Sequence, residues 1–439
     1  MLVVSNKEKR EAKTQKGLFL KGLVLGIIIL FVSAGVIPST VGIKKEKTTI
    51  TNIASPSYIQ DLIDNSSDGD TIYIPSGIYY ENIIINKSIS LVGENKETTI
   101  IDGGYSGTIV SISADWVNIS GFTIQYSGYY DYDAGIIIFS NHTIITDNNI
   151  TNNYEDGIQL YNSNDNNITN NNIISNNGVG GIHLDRSSNN IITGNNISSN
   201  NNNGIHLNNS NDNNITNNNI ISNKWDGVLL SSSSNNIITG NNISSNNYNG
   251  IILYYGSNDN NITNNNIISN NWCGMQLSSS SNNITGNNIV SNNGYGIILG
   301  GSSNNITGNN ITNNNGDGIF LYGSIGNNIK GNKIDNNNET GIFLEYASSN
   351  NIKGNTISKN KQGIYLFLSR NNTILKNNFQ ENQQDAFFNQ SIKNTWNQNY
   401  WNRTQILPKI IFGRIGMYSL IPWVNIDWRP ALRPYVIEV

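Results

Sequence analysis

Residues 204–226 read G-I-H-L-N-N-S-N-D-N-N-I-T-N-N-N-I-I-S-N-K-W-D, and at Gly227 the same pattern begins again. Working outward, a Gly followed by an apolar residue recurs at Gly135, Gly157, Gly181, Gly204, Gly227, Gly250, Gly274, Gly296, Gly318, Gly341 and Gly363, at intervals of 22 to 24 residues. Each period holds three short apolar stretches separated by Gly, Asn and Ser. That is the length of one turn of a parallel β-helix. A leucine-rich repeat has a similar period but needs a helix-forming half, which Asn-Ser-Gly runs do not supply. The I-x-L alternation points Ile205 and Leu207 inward and leaves His206 outside. Asn suits the corners, because it tolerates left-handed backbone and its amides bond along a stack. The expected fold is all-β: a single-stranded parallel β-helix of about 13 coils, a rod roughly 60–70 Å long at the strand spacing.

Without that period the composition would read as disorder, since 87 of 439 residues are Asn. Charge is sparse, 13% of residues with a net of −4, so the basic surplus that drives nucleic-acid binding is missing and no nucleic-acid partner is expected. A single Cys allows no intrachain disulfide.

The organisation reads as five stretches. Residues 1–21 are basic, with Lys7, Lys9, Arg10, Lys13, Lys16 and Lys21. Residues 22–43 carry no charge and are long enough to span a membrane, which takes about 20 residues, while Ser33, Ala34 and Gly35 also permit signal cleavage. Residues 44–54 form a linker and residues 55–395 the β-helix, opened by a helical cap at Ser57–Asp64. Residues 396–439, rich in Trp and Pro, form a cover. The basic flank stays inside, so the rod is expected outside the cell, secreted or held at the membrane by the apolar segment. More than a dozen N-x-S/T sequons, Asn167, Asn214 and Asn261 among them, make glycosylation an expectation for an exported chain.

The runs D-G-D-T-I-Y-I-P-S-G-I-Y-Y-E-N-I-I-I-N-K-S-I-S-L-V-G-E-N (68–95), T-T-I-I-D-G-G (98–104) and W-V-N-I-S-G-F-T-I (116–124) resemble the opening of NosD-type β-helix proteins. The Trp-rich ending is similar to that of secreted archaeal β-helix proteins. The resemblance implies a right-handed helix within a group of carbohydrate-binding and sugar-hydrolysing relatives. It also raises copper delivery, which draws on Cys, Met and His. Here the donors are His142, His183, His206, Cys273, Met275 and Met417, with Met1 in the targeting segment. Only His183 and His206 share an outward column, with Asp185 two residues on. The plainer reading of these three is a tolerant surface column, so no metal and no cofactor is expected. Gly77, Tyr79 and Glu81 match the G-x-Y-x-E opening of pectinesterases, but the Q-D-T-L and D-F-I-F-G segments of their catalytic site are missing, so this stretch reads as a structural corner. Asp156, Asp185 with Arg186, and Lys224 with Asp226 are the nearest approach to a lyase constellation, spread over four coils. No catalytic residue is assigned.

The stronger signal is aromatic. Trp225, Tyr248 and Trp272 stand two positions before the repeated Gly in successive coils, and Tyr295 follows one position later in the next. A second outward column holds Phe139, Tyr161, Tyr254, Tyr322 and Phe367, and a third Phe320, Phe343 and Tyr365. Flat rings among amides are what a sugar chain requires; the plainer reading is packing between coils. The expectation is a glycan-binding or structural surface protein with Trp225, Tyr248, Trp272 and Tyr295 as the glycan site. The alternatives are a polysaccharide lyase or hydrolase, or a copper-maturation factor.

Overall fold

The computed structural model describes residues 57–130 and 133–437. The basic segment 1–21, the apolar stretch 22–43, the linker 44–54 and Met1 lie outside them. Among the described residues no helix is long and apolar enough to cross a membrane.

Three sheets, A, B and C, of 15, 15 and 16 strands run the length of the body. Each coil contributes one strand to each sheet, from coil 1 (Thr71–Ile74, Gly77–Tyr79, Ile83–Ile85) to coil 15 (Thr395–Asn397, Tyr400–Trp401, Lys409–Ile415). Neighbours in every sheet pair in parallel, as in Asn214↔Ile237, Ile215↔Ile238 and Thr216↔Thr239. One antiparallel hairpin, Lys409–Ile415 against Ile421–Asp427, ends sheet C. The 15 turns exceed the expected 13 or so because coils continue beyond Gly363, where Asp385-Ala386 replaces the Gly-apolar marker. Trp396 and Trp401 belong to that last coil and are buried.

The interior is a set of stacked aliphatic columns. In sheet A, Ile168, Ile192, Ile215, Ile238 and Ile262 are fully buried, as are Ile205 and Leu207 of sheet C. A fully buried Ile contributes about 1.5–3 kcal/mol. The corners are closed by Asn ladders that are themselves buried. Asn246 Oδ1 accepts from Asn223 N and Nδ2, each at 3.0 Å, while Asn246 Nδ2 donates to Ile220 O at 3.2 Å and to Asn270 Oδ1 at 3.0 Å. Corresponding ladders run from Asn148 to Asn399 and from Asn166 to Asn394. Within these ladders each amide is matched along the axis up to the last coil, so the polar corners can be buried at little cost.

The first coil is covered by helix α1, Tyr58–Asp64, which buries Ile59 and Ile63. The Glu81 carboxylate accepts from Ile59 N at 3.0 Å and Gln60 N at 3.1 Å, satisfying the helix N-terminus. Tyr79 donates to Pro75 O at 2.8 Å and stacks on Tyr58. The G-x-Y-x-E stretch is thus a structural joint between cap and coil.

Candidate functional site

The outer face of sheet C departs most from the Asn-Ser repeat. Its central column runs Gln159, His183, His206, Leu229, Ile252, Gln276, Ile298, Phe320, Phe343, Tyr365 and Phe387, one residue per coil. The residues at this position sit between two inward-facing ones, which is why the repeat tolerates any side chain there.

Of the four expected glycan residues, the structure brings two together. Trp225 and Tyr248 stack with centroids 5.0 Å apart and planes 10° apart. Trp272 continues their column, its N–H donating to Tyr248 O at 3.0 Å. It is 51% exposed and takes part in none of the ring pairs found among the described residues. Tyr295 leaves this column: the 22-residue interval from Gly274 to Gly296 puts Gly294 below Trp272 instead. Its ring stacks on Phe320 at 5.4 Å and opens a ladder through Phe343, Tyr365 and Phe387, with centroids 5.1, 4.9 and 5.8 Å apart. The column of Phe139, Tyr161, Tyr254, Tyr322 and Phe367 is interrupted by Asp185, Asn208 and Ser231 and forms no strip.

Stacked rings occupy one another's faces and turn their edges outward. The faces left for a sugar are those at the ends of the stacks, together with Trp272. Beside the ladder lies an open pocket of ≈ 340 Å³ lined by Asp317, Glu339, Thr340, Phe343, Lys361, Gln362 and Tyr365. Asp317 accepts from Thr340 N at 2.7 Å, and Lys361 pairs with Glu339 at 2.9 Å. Burial pushes the Asp317 carboxyl up to about 6, against the lowering effect of its hydrogen bonds to Thr340. The Phe column was legible in the sequence. The pocket was not, because Asp317, Glu339 and Lys361 lie in three different coils, and Asp317 stands one position before the repeated Gly where Glu339 and Lys361 stand two before it.

Toward the other end, His183 and His206 stack with centroids 4.9 Å apart. The carboxylate meeting them is Asp156, whose Oδ2 lies 2.9 Å from His183 Nδ1. Asp185, the sequence candidate, instead accepts from Asn208 Nδ2 at 2.9 Å. Sequence reasoning grouped Asp156 with Asp185 and Asp226 and missed its pairing with His183, because it precedes the repeated Gly one coil earlier. Among the described residues no group of three His, Cys, Asp or Glu side chains is placed to hold a metal ion. Cys273 and Met275 are fully buried, burial pushes the Cys273 thiol up to about 12, and His142 stacks on Trp116.

The two imidazoles titrate apart. Burial, the largest influence, lowers His183, but the hydrogen bond and charge of Asp156 outweigh it and the net shift is upward. Burial and the charge of His183 lower His206 to about 4. The upward shift of His183 adds stability that is complete below pH about 6.5 and is lost as pH rises through its folded pKa. The downward shift of His206 acts oppositely: its contribution is complete above pH about 6.5 and fades as pH falls toward 4. Imidazole NMR is expected to show His183 titrating above the free value and His206 well below it. In Asp156→Asn, His183 should fall below 6.5; two coincident titrations near 6.5 in the parent protein would refute this account.

By its fold the protein is a parallel β-helix with an aromatic ladder on the outer face of one sheet. Two family models match parts of it: residues 247–413 match the one described as periplasmic copper-binding protein (NosD), and residues 107–267 the one described as right handed beta helix region. No curated protein matches the chain. Among solved structures it is similar to the Dettilon tailspike protein, at 15% identity over 76% of this chain and 64% of that one, with a TM-score of 0.48. It is also similar to the A-module of the mannuronan C-5 epimerase AlgE4 of Azotobacter vinelandii, at 16% identity over 75% and 92% of the two chains, with a TM-score of 0.44. The third is the DFA-IIIase of Arthrobacter chlorophenolicus A6 in complex with GF2, at 14% identity over 63% and 90%, with a TM-score of 0.49.

Proposed function

We propose that the chain is an exported glycan-binding β-helix whose ligand lies along the outer face of sheet C, from Trp225 to the ladder ending at Phe387. The observation that carries the reading is the pocket bounded by Phe343 and Tyr365 on one side and by Asp317, Thr340 and Gln362 on the other. Ring edges with convergent hydroxyl, amide and carboxylate groups beside them suit the apolar flank and the hydroxyls of a sugar, while stacking falls to the ring faces left free. Trp225, with one face free at the end of its stack, and Trp272, outside any ring pair among the described residues, extend that contact along the axis. Export and an outer-surface location belong to the same proposal and rest on the basic and apolar residues 1–43. Copper handling is not part of it, because the soft donors Cys273 and Met275 are fully buried.

The test is affinity electrophoresis of the full chain against a panel of neutral and acidic polysaccharides. Trp225→Ala with Trp272→Ala, and separately Tyr365→Ala, should each weaken retardation on the bound glycan by roughly tenfold, the usual weight of an aromatic contact at a binding site. Unchanged retardation in both variants sinks the proposal.

A second reading rests on Asp317. A carboxyl raised to about 6 beside a Lys361–Glu339 pair and a tyrosine is poised for proton transfer. Release of reducing ends or unsaturated products from the same panel, abolished by Asp317→Asn, would favour a polysaccharide-processing enzyme.

A further inference from the structure

The third position of each sheet A strand faces outward, and over most of the rod it is threonine. Thr169 donates to Thr146, Thr216 to Thr193 and Thr263 to Thr239, each at 3.0 Å. Thr285 and Thr307 continue the column. At coils 12 and 13 the column changes to Lys330 and Lys353, which are register partners on adjacent strands. Two like charges one strand spacing apart, about 4.8 Å, destabilise a sheet, and here they take the place of neutral threonine hydroxyls.

The change is not isolated. Lys376 follows the next strand of the sheet, Lys333 begins the adjoining strand of sheet B, and Arg370 and Lys393 stand in the turns leading into sheet A. Five of the six are exposed, Lys353 being half-buried, and none takes part in the ion pairs found among the described residues. The sheet A strands 328–330, 351–353, 373–375 and 395–397, with the turns entering them, contain no carboxylate. The nearest acidic residues on sheet B are Asp335, which accepts from Ser358 at 2.6 Å, and Glu381, which follows the strand Asn378–Gln380 at its far end. In a chain of net charge −4 this is a concentrated basic lane.

We propose that the sheet A face of coils 12–15 is a second binding surface, specific for a linear polyanionic glycan whose carboxylates lie along the rod axis. Charge complementarity selects an anion. The lane offers about one cation per coil, and the coil spacing is close to the length of one sugar unit in an extended polysaccharide, so successive acidic sugars meet successive coils. A single-stranded nucleic acid would require stacking platforms beside the cations, and no exposed aromatic side chain stands on these strands. The surface is independent of the sheet C lane.

The experiment uses Lys330→Thr with Lys353→Thr, which restores the threonine column, and Lys376→Gln. The full chain and this triple variant are run through gels containing polygalacturonate or unsubstituted dextran, at low and raised salt. The parent protein is expected to be retarded by polygalacturonate alone, and less so at raised salt. The variant should lose roughly tenfold in affinity while its melting temperature stays level or rises. The loss caused by the lysine substitutions should be the same in a Trp225→Ala, Trp272→Ala background, so that failure of the sheet C reading is told apart. Equal retardation of parent and variant, equal retardation by dextran, tighter binding of an oligothymidylate, or salt-sensitive self-association as the sole effect of the lysines would each overturn the proposal.

Discussion

Asp427→Ala is expected to open the C-terminal end of the helix. Every Asn ladder passes its donors to the next coil, so the last member faces a coil that does not exist. At Asn399 the hairpin strand Ile421–Asp427 supplies the missing acceptor. Asp427 is fully buried, and its oxygens accept from Gln398 N at 3.0 Å, Asn399 N at 2.9 Å, Asn399 Nδ2 at 3.1 Å and the Trp401 indole N–H at 3.2 Å. Alanine leaves these donors without a partner, at about 1–3 kcal/mol for each buried group. A loss of roughly 4 kcal/mol or more follows, enough to fray coil 15 in a structure whose stability is a sum of neighbour terms. Amides of residues 395–401 should lose hydrogen-exchange protection, while those of 237–290 keep theirs. Protection unchanged at 395–401 would refute the assignment. Asp427→Asn should be milder, because one oxygen remains.

The period made most of this fold legible. The Gly-apolar marker, the I-x-L alternation and the three apolar stretches per period placed the inward columns of all three sheets, and Ser57–Asp64 was legible as the cap. What the repeat concealed is which residues meet across coils. Asp156 lies 27 residues before His183, and Asp427 lies 28 residues beyond Asn399 in a stretch of different composition. Neither spacing is a feature of the period. The consequence of a register offset was concealed as well: Tyr295 sits one position from the Trp272 column, enough to move its ring onto Phe320. The candidate site was therefore legible as a set of outward positions but not as a set of contacts. The exceptions to the repeat carry the chemistry, and their partners are fixed by coil stacking.

The same distinction separates two kinds of glycine and leads to the sharpest mutational contrast. Gly308 has φ +62° and open space around it. It shares its left-handed corner with Asn217 and Asn264, whose φ values are 54° and 55°. Gly308→Asn is expected to be close to neutral, since Asn already holds that position elsewhere in the rod. Gly204 is needed for a different reason. A Cβ there would stand 2.5 Å from Ile220 Cγ2, 2.6 Å from the Gly227 carbonyl oxygen and 3.0 Å from Asn223 Nδ2. The first is a buried core atom, the second backbone of the next coil, and the third a ladder amide that donates to Asn246 at 3.0 Å. None is the far end of a flexible side chain. Relief would require coils 6 and 7 to separate at one corner while three sheets and two further ladders hold them at strand spacing. Gly204→Ala is therefore expected to cost about 3 kcal/mol or more, the upper end of overpacking penalties, because the ladder bond is strained as well. Limited proteolysis should find new cleavage between residues 200 and 230, and urea unfolding should broaden as the rod divides into two weakly coupled halves. A Gly204→Ala variant as stable as Gly308→Asn would mean that the repeated glycine marks the period without enforcing it.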